Sequence, residues 1–385
     1  MAIKLKNICR FQSGGTPSRA NELYFNGTIP WISTVALNGR TIDSNYAAEW
    51  ITEKAIAESA AKIVPERSVM LGTRVGIGKV AINSEPMATS QDIVSLVEID
   101  ESVWDKAYIC KFLQSKEAYL KLQARGATIK GIKINTVAEL DVPAIPRIEQ
   151  KRIVSLLNAT LDIIENRKNQ LTALDDLVKA RFVEMFGDET NPHRLPIVNV
   201  EDVADVSVGV VIKPAQYYTD AEHGVKAFRS LNIGPMCIKD SDWVFFSQEG
   251  NAKNRKSQLR ENDLLIVRSG APGTACVVTK PYEGCNAIDI IIARPNTEQV
   301  NPFYLCAFTN MPHGKKQIEE GTGGAAQQHF NVGKYNKLQL MLPSMSLQNQ
   351  FVSFLQQIDK SKSVIQKSLV ETKTLFDSLM QQYFG

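Results

Sequence analysis

The two halves of this 385-residue chain repeat one series of residues in the same order. Phe186-Gly187 ends a long polar stretch, and Phe384-Gly385 ends an equivalent one. Between these points further matches follow collinearly: Arg74 with Arg268, Asp92-Ile93 with Asp289-Ile290, Tyr108-Ile-Cys110-Lys-Phe112 with Tyr304-Leu-Cys306-Ala-Phe308, and Asn135 with Asn331. Each repeat is far longer than the 20–50 residues of a solenoid unit. The pattern therefore predicts one domain-sized module used twice, with an internal pseudo-twofold repeat.

Each repeat closes with a stretch that contains neither glycine nor proline, from Arg147 to Phe186 and from Ser344 to Phe384. Both stretches are rich in Leu, Ile, Gln, Lys and Glu. At 1.5 Å per residue, each predicts a helix about 60 Å long.

Apolar residues recur along both stretches at the spacing of a coiled coil. The first stretch keeps one seam at intervals of seven: Leu157, Ile164, Leu171, Val178 and Met185. The second follows a 4-3 pattern: Phe351, Leu355, Ile358, Ile365, Leu369, Phe376, Leu379 and Tyr383. A core-facing helix of a globular domain is the alternative interpretation, but the length and the lack of breakers favour an antiparallel helix pair.

The regions between the long helices have short β-branched runs, such as 92–99, 264–268 and 287–293, separated by glycine and proline turns. Short helices are predicted at 52–63, 106–122 and 302–309. This mixture indicates an α+β fold with a twisted antiparallel sheet in each module. The predicted boundaries are a first module at 1–145, a first long helix at 146–187, a second module at 188–342 and a second long helix at 343–385.

Composition excludes several classes of protein. The net charge is only +3, so the chain is not a general polyanion binder, although local basic patches remain compatible with DNA. No apolar run is long enough to span a membrane, and we expect a cytoplasmic protein. The six cysteines form no C-x-x-C pair, and the four histidines are dispersed, so no metal site or cofactor is expected in the chain.

The sequence contains no recognisable catalytic motif. The loop 72–80 resembles a phosphate-binding loop, but five residues separate Gly72 from Gly78 where four are required, and Val80 stands where Ser or Thr must hold magnesium. A strand-turn-strand element is the better interpretation. Asn301-Pro302 is interpreted as a helix start rather than a methyltransferase loop. The chain is therefore predicted to be non-catalytic.

Polar, glycine-containing loops in both modules carry the side chain types that contact phosphates and base edges. They lie at 13–19 and 125–133 in the first module, and at 251–256 and 321–329 in the second. Surface turns without a function are the plainer alternative. The candidate DNA-binding residues are Thr16, Ser18, Arg19, Arg74, Gln91, Lys130, Lys133, Arg229, Lys253, Arg255, Lys256, Arg268, Gln327 and Gln328.

Two DNA-recognising modules that are held apart by an antiparallel helix pair about 50–60 Å long would suit a bipartite DNA site. One turn of B-DNA spans about 34–36 Å, so the modules would meet major-groove sites somewhat more than one turn apart. The predicted target is double-stranded DNA with two short half-sites separated by unread base pairs.

Several motifs together make the chain similar to a known family. They are Ser13-Gly-Gly-Thr-Pro-Ser-Arg19, Gly27-Thr-Ile-Pro-Trp-Ile32, the helix openings Val142-Pro-Ala-Ile-Pro-Arg-Ile-Glu-Gln150 and Leu342-Pro-Ser-Met-Ser-Leu-Gln348, and the terminal Phe-Gly pairs. In this order and in duplicate they resemble the specificity subunits of type I restriction-modification systems, over essentially the full length.

The resemblance implies two target recognition domains, each reading half of an asymmetric site. It also implies that the helix pair docks two methyltransferase (M) subunits that methylate adenine N6, and that restriction (R) subunits complete the complex. S-adenosylmethionine would then bind the methyltransferases, and ATP with magnesium the motor-nuclease. The residues expected on the docking helices are Gln150, Leu157, Ile164, Leu171, Val178, Gln348, Leu355, Ile365, Leu369 and Phe376. A protein–protein scaffold without DNA binding is the alternative.

Overall fold

The computed structural model describes residues 1–126, 130–188, 190–322 and 330–385, apart from the side chain of Thr322. The described chain divides into two compact units. The first unit comprises residues 1–168 and 367–385, and the second comprises residues 169–366. Both long helices therefore contribute one segment to each unit.

The described part of the first repeat forms eleven strands and five α-helices. The strands are β1 (Ala2–Lys4), β2 (Arg10–Ser13), β3 (Phe25–Ile32), β4 (Thr41–Ile42), β5 (Glu49–Ile51), β6 (Ile63–Val64), β7 (Val69–Gly72), β8 (Val80–Asn83), β9 (Met87–Thr89), β10 (Ile93–Val97) and β11 (Asp141–Pro143). The helices are α1 (Glu53–Glu58), α2 (Lys106–Ser115), α3 (Glu117–Gln123), α4 (Ile134–Ala138) and α5 (Arg147–Phe186).

The described part of the second repeat forms twelve strands and five α-helices. The strands are β12 (Ile197–Asn199), β13 (Ala204–Val208), β14 (Tyr218–Thr219), β15 (Gly224–Phe228), β16 (Ile233–Gly234), β17 (Cys237–Ile238), β18 (Val244–Ser247), β19 (Leu264–Val267), β20 (Ala275–Val277), β21 (Asn286–Ala287), β22 (Ile290–Pro295) and β23 (Gln339–Met341). The helices are α6 (Gln248–Lys253), α7 (Pro302–Asn310), α8 (Pro312–Thr322), α9 (Val332–Asn336) and α10 (Met345–Phe384).

The sheets of the two repeats correspond. In the first, the orders are β2-β10-β7-β8-β4, β5-β3-β9-β6 and β1-β11. In the second, they are β13-β22-β19-β20, β14-β18-β15-β21 and β12-β23, with the additional pair β16-β17. The α+β class is confirmed, but the prediction of one antiparallel sheet per module is wrong. The chain alternates between sheets, so β3 pairs with β9, β4 with β8 and β15 with β21 in parallel.

The long helices were predicted closely from their lack of glycine and proline, since α5 spans Arg147–Phe186 as expected and α10 begins one residue later than expected. The shorter helices were predicted less well. The segment predicted to be helical at 52–63 is helical only in α1, because the hydroxyl of Ser59 accepts from the N–H of Ala61 and turns the chain toward β6. The segment 106–122 forms α2 and α3 with a break at Lys116.

The loop after β7 is a strand-turn-strand element, as predicted. The N–H of Gly72 donates to the carbonyl of Lys79 at 2.8 Å, which closes the turn before β8. Gly76 and Gly78 have φ angles of 66° and 83°, in the left-handed region that glycine adopts without a steric penalty. The glycines therefore shape a tight turn.

The core of the first unit combines its sheet, α2 and segments of both long helices. Ile153 and Leu157 of α5 belong to this core together with Met380 and Phe384 of α10. The ring of Phe384 lies 5.1 Å from that of Tyr108, between centroids. The Tyr-x-Cys-x-Phe motif of α2 is thus a buried docking face for the end of α10.

The second unit repeats this arrangement with the other helix ends. The ring of Phe186, at the end of α5, lies 4.8 Å from Tyr304 and 5.4 Å from Phe351. Farther from this cluster, Nζ of Lys362 pairs with Asp175 at 2.5 Å. These contacts show that α5 and α10 run in opposite directions within the second unit.

A buried glutamine joins the start of α5 to the start of α2 in the first unit. Oε1 of Gln150 accepts from the N–H of Asp105 at 2.8 Å, and Nε2 donates to the carbonyls of Val103 and Ile145 at 3.1 and 2.9 Å. The side chain is 1% exposed. It satisfies main-chain groups that would otherwise lack partners at both helix starts.

Gln348 performs the same task in the second unit. Its Oε1 accepts from the N–H of Asn301 at 2.7 Å, directly before α7. Its Nε2 donates to the carbonyls of Gln299 and Pro343 at 3.2 and 2.9 Å. The side chain of Asn301 caps α7, so the segment around Pro302 is a helix start, as predicted.

Candidate nucleic-acid interface

Several loops of the first unit meet beside its five-stranded sheet, at 13–19, 72–78, 90–92 and 130–133. The N–H of Gln91 donates to Oγ1 of Thr16 at 3.4 Å. The N–H of Thr73 donates to the carbonyl of Asp92, and the N–H of Ile132 donates to that of Thr73, both at 2.8 Å. We call this group of loops the first loop face. Hydrogen bonds to the main chain hold it together.

The first loop face contains an open cleft of about 490 Å³. Its lining residues are Arg74, Gln123, Arg125, Gly131, Ile132, Lys133 and Thr136. Arg74, Arg125 and Lys133 are exposed, and no carboxylate of the described residues pairs with any of them. We call these three side chains the cationic cleft. Unpaired cations around an open groove are the arrangement that binds phosphate oxygens.

The other predicted residues of the first module belong to the loops of the first loop face. Thr16, Ser18, Gln91 and Lys130 are exposed. Arg19 is also exposed, but its guanidinium pairs with Glu49 at 2.8 Å. The binding of DNA by Arg19 stays a prediction.

The second unit builds an equivalent loop face on the same main-chain frame. The N–H of Gly209 donates to the carbonyl of Ile290 at 2.9 Å, as that of Gly14 donates to Ile93 at 3.0 Å. The N–H of Phe330 donates to the carbonyl of Arg268 at 3.0 Å. The second loop face comprises the loops 208–213, 254–257, 268–273 and 287–289.

Arg268 is the repeat partner of Arg74, yet its surroundings differ. Its guanidinium donates to the carboxylate of Asp289 and, at 3.3 Å, to the carbonyl of Phe330. The side chain is only 17% exposed. In the first unit no such pair forms between Arg74 and Asp92 within the described residues. The two loop faces therefore share a frame and differ in which cations are free.

Two further predicted cations of the second module are also engaged. Arg229 donates from Nη2 to the carbonyl of Asp242. Lys253 pairs with Glu249 at 2.6 Å, and this hydrogen bond raises the pKa of Lys253. The partners of Arg229, Lys253 and Arg268 could not be identified from sequence spacing. Whether they reach DNA stays a prediction.

Arg255 and Lys256, like Lys213, are exposed cations of the second loop face that have no carboxylate partner among the described residues. They border a cleft of about 420 Å³. Its lining residues are Val208, Gly209, Val210, Ala252, Lys253, Asn254, Arg255, Lys256 and Ser257. Gln327 and Gln328, the remaining predicted residues, lie outside the described residues.

A buried amide network positions the turn that carries Arg255 and Lys256. Nδ2 of Asn286, a fully buried side chain, donates to Oδ1 of Asn251 at 2.9 Å. Its Oδ1 accepts from the hydroxyl of Ser257 at 2.7 Å. Sequence inspection missed this network, because asparagine in a short strand gives no signal of burial.

Replacing Asn286 with alanine is expected to destabilise the second unit by about 1–3 kcal/mol, because buried polar atoms of Asn251 and Ser257 lose their partner. Thermal unfolding of the variant, compared with Gln248→Ala on the exposed start of α6, measures the effect. Equal melting temperatures of the two variants would contradict this role for Asn286.

The residues predicted to bind partner subunits mostly face the cores of the units. Leu157, Ile164, Val178, Leu355, Leu369, Gln150 and Gln348 are buried, and Leu171, Ile365 and Phe376 are partly buried. Most of the heptad stripe is thus buried within the chain itself, and the binding of partner subunits by these residues stays a prediction. Other apolar side chains of the two helices are exposed: Leu156, Ile163, Leu177, Val364, Val370 and Leu375.

The described residues contain no cluster of three or more His, Cys, Asp or Glu side chains suited to a metal ion. In the same part of the chain, no helix combines the length and the apolar character that crossing a membrane requires.

The model of the type I restriction modification DNA specificity domain matches residues 1–173 and again residues 189–372. The chain belongs to this specificity family. Each of its two matches covers one module and most of the long helix that follows it. The resemblance inferred from the motifs is confirmed.

The MjaIX specificity subunit of Methanocaldococcus jannaschii is similar to this chain over nearly its whole length. It is 24% identical, over 98% of this chain and 90% of its own length. The EcoR124I/EcoR124II specificity subunit of Escherichia coli is 31% identical, over 40% of this chain and 39% of its own.

Two solved structures share the fold. The S subunit from M. genitalium has a TM-score of 0.59 at 13% identity, covering all of this chain and 96% of that one. A chain from a study of complex assembly and conformational transition in a type I R-M system has a TM-score of 0.65 at 16% identity, covering all of this chain and 97% of that one.

Proposed function

We propose that the chain is the DNA-reading, non-catalytic subunit of a type I restriction-modification complex, and that each module reads one half of a bipartite site. The observation that carries this proposal is the pair of loop faces. They share a main-chain frame, and they present different side chains and different free cations. Two loop faces with the same main-chain hydrogen bonds but different exposed side chains suit two modules that recognise different DNA sequences.

In this proposal α5 and α10 form an antiparallel coiled coil that sets the gap between the half-sites. The opposite directions of the two helices in the second unit support it, as does the burial of the heptad stripe. The proposed domain boundaries are those predicted from the sequence, at residues 145, 187 and 342.

The exposed apolar residues of the two helices would dock two M subunits, and R subunits would complete the complex. The names of the relatives and the family match support partners of this kind. S-adenosylmethionine would bind the M subunits, which would methylate adenine N6. ATP and magnesium would bind the R subunits, and the chain itself would need no cofactor.

A methylome of cells that express the cognate methyltransferase, with and without this chain, tests the proposal. The expected result is a bipartite N6-methyladenine motif that appears only with the chain. A complex that assembles fully yet produces no motif would favour a scaffold. Binding of DNA by the complex should also weaken steeply with salt, whereas a scaffold has no such dependence.

Inserting one heptad into both α5 and α10 is expected to lengthen the gap between the half-sites by about 3 base pairs, because seven helical residues add about 10 Å. The methylome of the insertion variant measures the gap. As a control, a heptad inserted into one helix alone should impair assembly, since the stripes fall out of register. An unchanged gap in the double insertion would refute the spacer role.

A further inference from the structure

The tip of the loop after β13 exposes two adjacent β-branched apolar side chains. Val211 is 49% exposed and Ile212 is 78% exposed. Both belong to the second loop face, next to Val210 in the cleft of Arg255 and Lys256. Burying such side chains away from water would be favourable, so their exposure in a functional loop indicates a contact surface.

The base of this loop is fixed to the segment that joins β21 to β22. The N–H of Val210 donates to the carbonyl of Ala287 at 2.8 Å, and the N–H of Asp289 donates to the carbonyl of Val210 at 3.1 Å. A Cβ atom on Gly209 would lie 2.3 Å from the carbonyl oxygen of Ala287. Glycine is therefore required there, and the close approach holds the tip in place.

The far side of the loop is held as well. Lys213 adopts a left-handed conformation with φ 43°, and a 3-10 turn, Pro214–Tyr217, follows directly. Tyr217 packs near Gly250 of α6. Val211 and Ile212 are thus presented by an ordered support, which favours a contact that depends on shape.

The equivalent tip of the first loop face has a different chemistry. Gly14 and Gly209 make the same main-chain hydrogen bond, so Thr16 and Pro17 take the places of Val211 and Ile212. Thr16 carries a hydroxyl group that already accepts a hydrogen bond from Gln91. The side chains of Val211 and Ile212 have no polar atom, so neither can read a base edge by a side-chain hydrogen bond.

We propose that Val211 and Ile212 contact the 5-methyl group of thymine in the second half-site. Among the base edges exposed in the major groove, this methyl is the apolar group. Arg255 and Lys256 beside the tip would hold the flanking phosphates, which brings the tip toward the groove. The inference rests on the proposed function, and it names the chemical group of the DNA that the second module would recognise.

The test uses the complete complex of the chain with its methyltransferase subunits, and a duplex that contains the motif found in the methylome. Each thymine of the second half-site is replaced in turn by deoxyuridine, which lacks the methyl group. We expect about fourfold weaker binding at one or two positions, the effect of one buried methyl group. Deoxyuridine in the first half-site should not alter the part of the binding affinity that depends on Val211 and Ile212.

The double variant Val211→Ala with Ile212→Ala is expected to bind the thymine and deoxyuridine duplexes equally well. Val35→Ala serves as the control, because Val35 is a highly exposed β-branched residue of the first module, and it should keep the fourfold difference. A second half-site without thymine, equal binding of both duplexes by the unaltered complex, or a difference that persists in the double variant would each overturn the inference. Failure of the proposed function is distinct, because the unaltered complex would then show neither a motif nor salt-dependent binding.

Discussion

Replacing Arg74, Arg125 and Lys133 with glutamine is expected to weaken binding of duplex DNA by about a hundredfold at moderate salt. These three cations surround one open cleft and have no carboxylate partner among the described residues, so they are free to displace counterions from phosphates. The slope of log K against log salt should become shallower by about 2.7, at about 0.9 for each phosphate contact. A titration of the complex at several salt concentrations measures both quantities.

The matched control replaces Lys6, Arg10 and Arg67 with glutamine. This variant loses the same net charge, but each of the three side chains is already paired with a glutamate, at 2.6, 2.9 and 2.5 Å. We expect a much smaller change in affinity and slope. Equal losses in the two triple variants would mean that net charge, rather than the cationic cleft, governs binding. An unchanged slope in the cleft variant would remove the cleft from the DNA interface.

Replacing Phe186 with alanine is expected to lower the free energy of unfolding of the second unit by about 3–5 kcal/mol. Its ring is fully buried and contacts Phe182, Tyr304 and Phe351, with centroids 4.8–5.4 Å apart. Removal of the ring leaves a cavity where the end of α5 packs against α7 and the start of α10. Because aromatic ring pairs stabilise a fold beyond the contribution of the apolar area that they bury, the loss should lie toward the upper end of this range.

Chemical denaturation followed by fluorine NMR of fluorotryptophan can assign this loss to one unit. Trp243 is the tryptophan of the second unit, whereas Trp31, Trp50 and Trp104 report on the first. The Trp243 signal should change at a lower denaturant concentration in Phe186→Ala. Val183→Ala, at a 41% exposed position of the same helix, should shift it little. Similar midpoints for the two variants would contradict a central role of Phe186.

Elements whose signal lies in their own residues were predictable from the sequence. The absence of glycine and proline defined α5 and α10 to within one residue, and the spacing of Leu157 and Leu355 indicated which face is buried. The collinear repeat predicted two equivalent modules, and polar loops indicated where the cationic cleft lies. In each case the physical cause is local, because helix propensity, periodicity and turn chemistry act over a few residues.

Features that depend on contacts between distant segments were not predictable. The pairing of Arg268 with Asp289, and of Arg19 with Glu49, decides which cations are free, and spacing along the chain does not reveal it. The burial of Gln150 also escaped notice, because a polar residue near a helix start is usually exposed. Ile212 was not among the candidate DNA-binding residues, because those were chosen as polar or charged side chains and a single isoleucine in the sequence resembles any core residue.

The main-chain hydrogen bonds that hold the two loop faces have a consequence for how such a chain can diversify. The bond from Gly14 to Ile93, like that from Gly209 to Ile290, involves no side chain atoms. Mutations at the neighbouring tips can therefore accumulate with little effect on folding, since the frame does not depend on their identity. A lineage under pressure to vary its target could exchange the tips of one module by recombination while it inherits the other unchanged. Novel pairings of half-sites would then arise by shuffling, without redesign of either core.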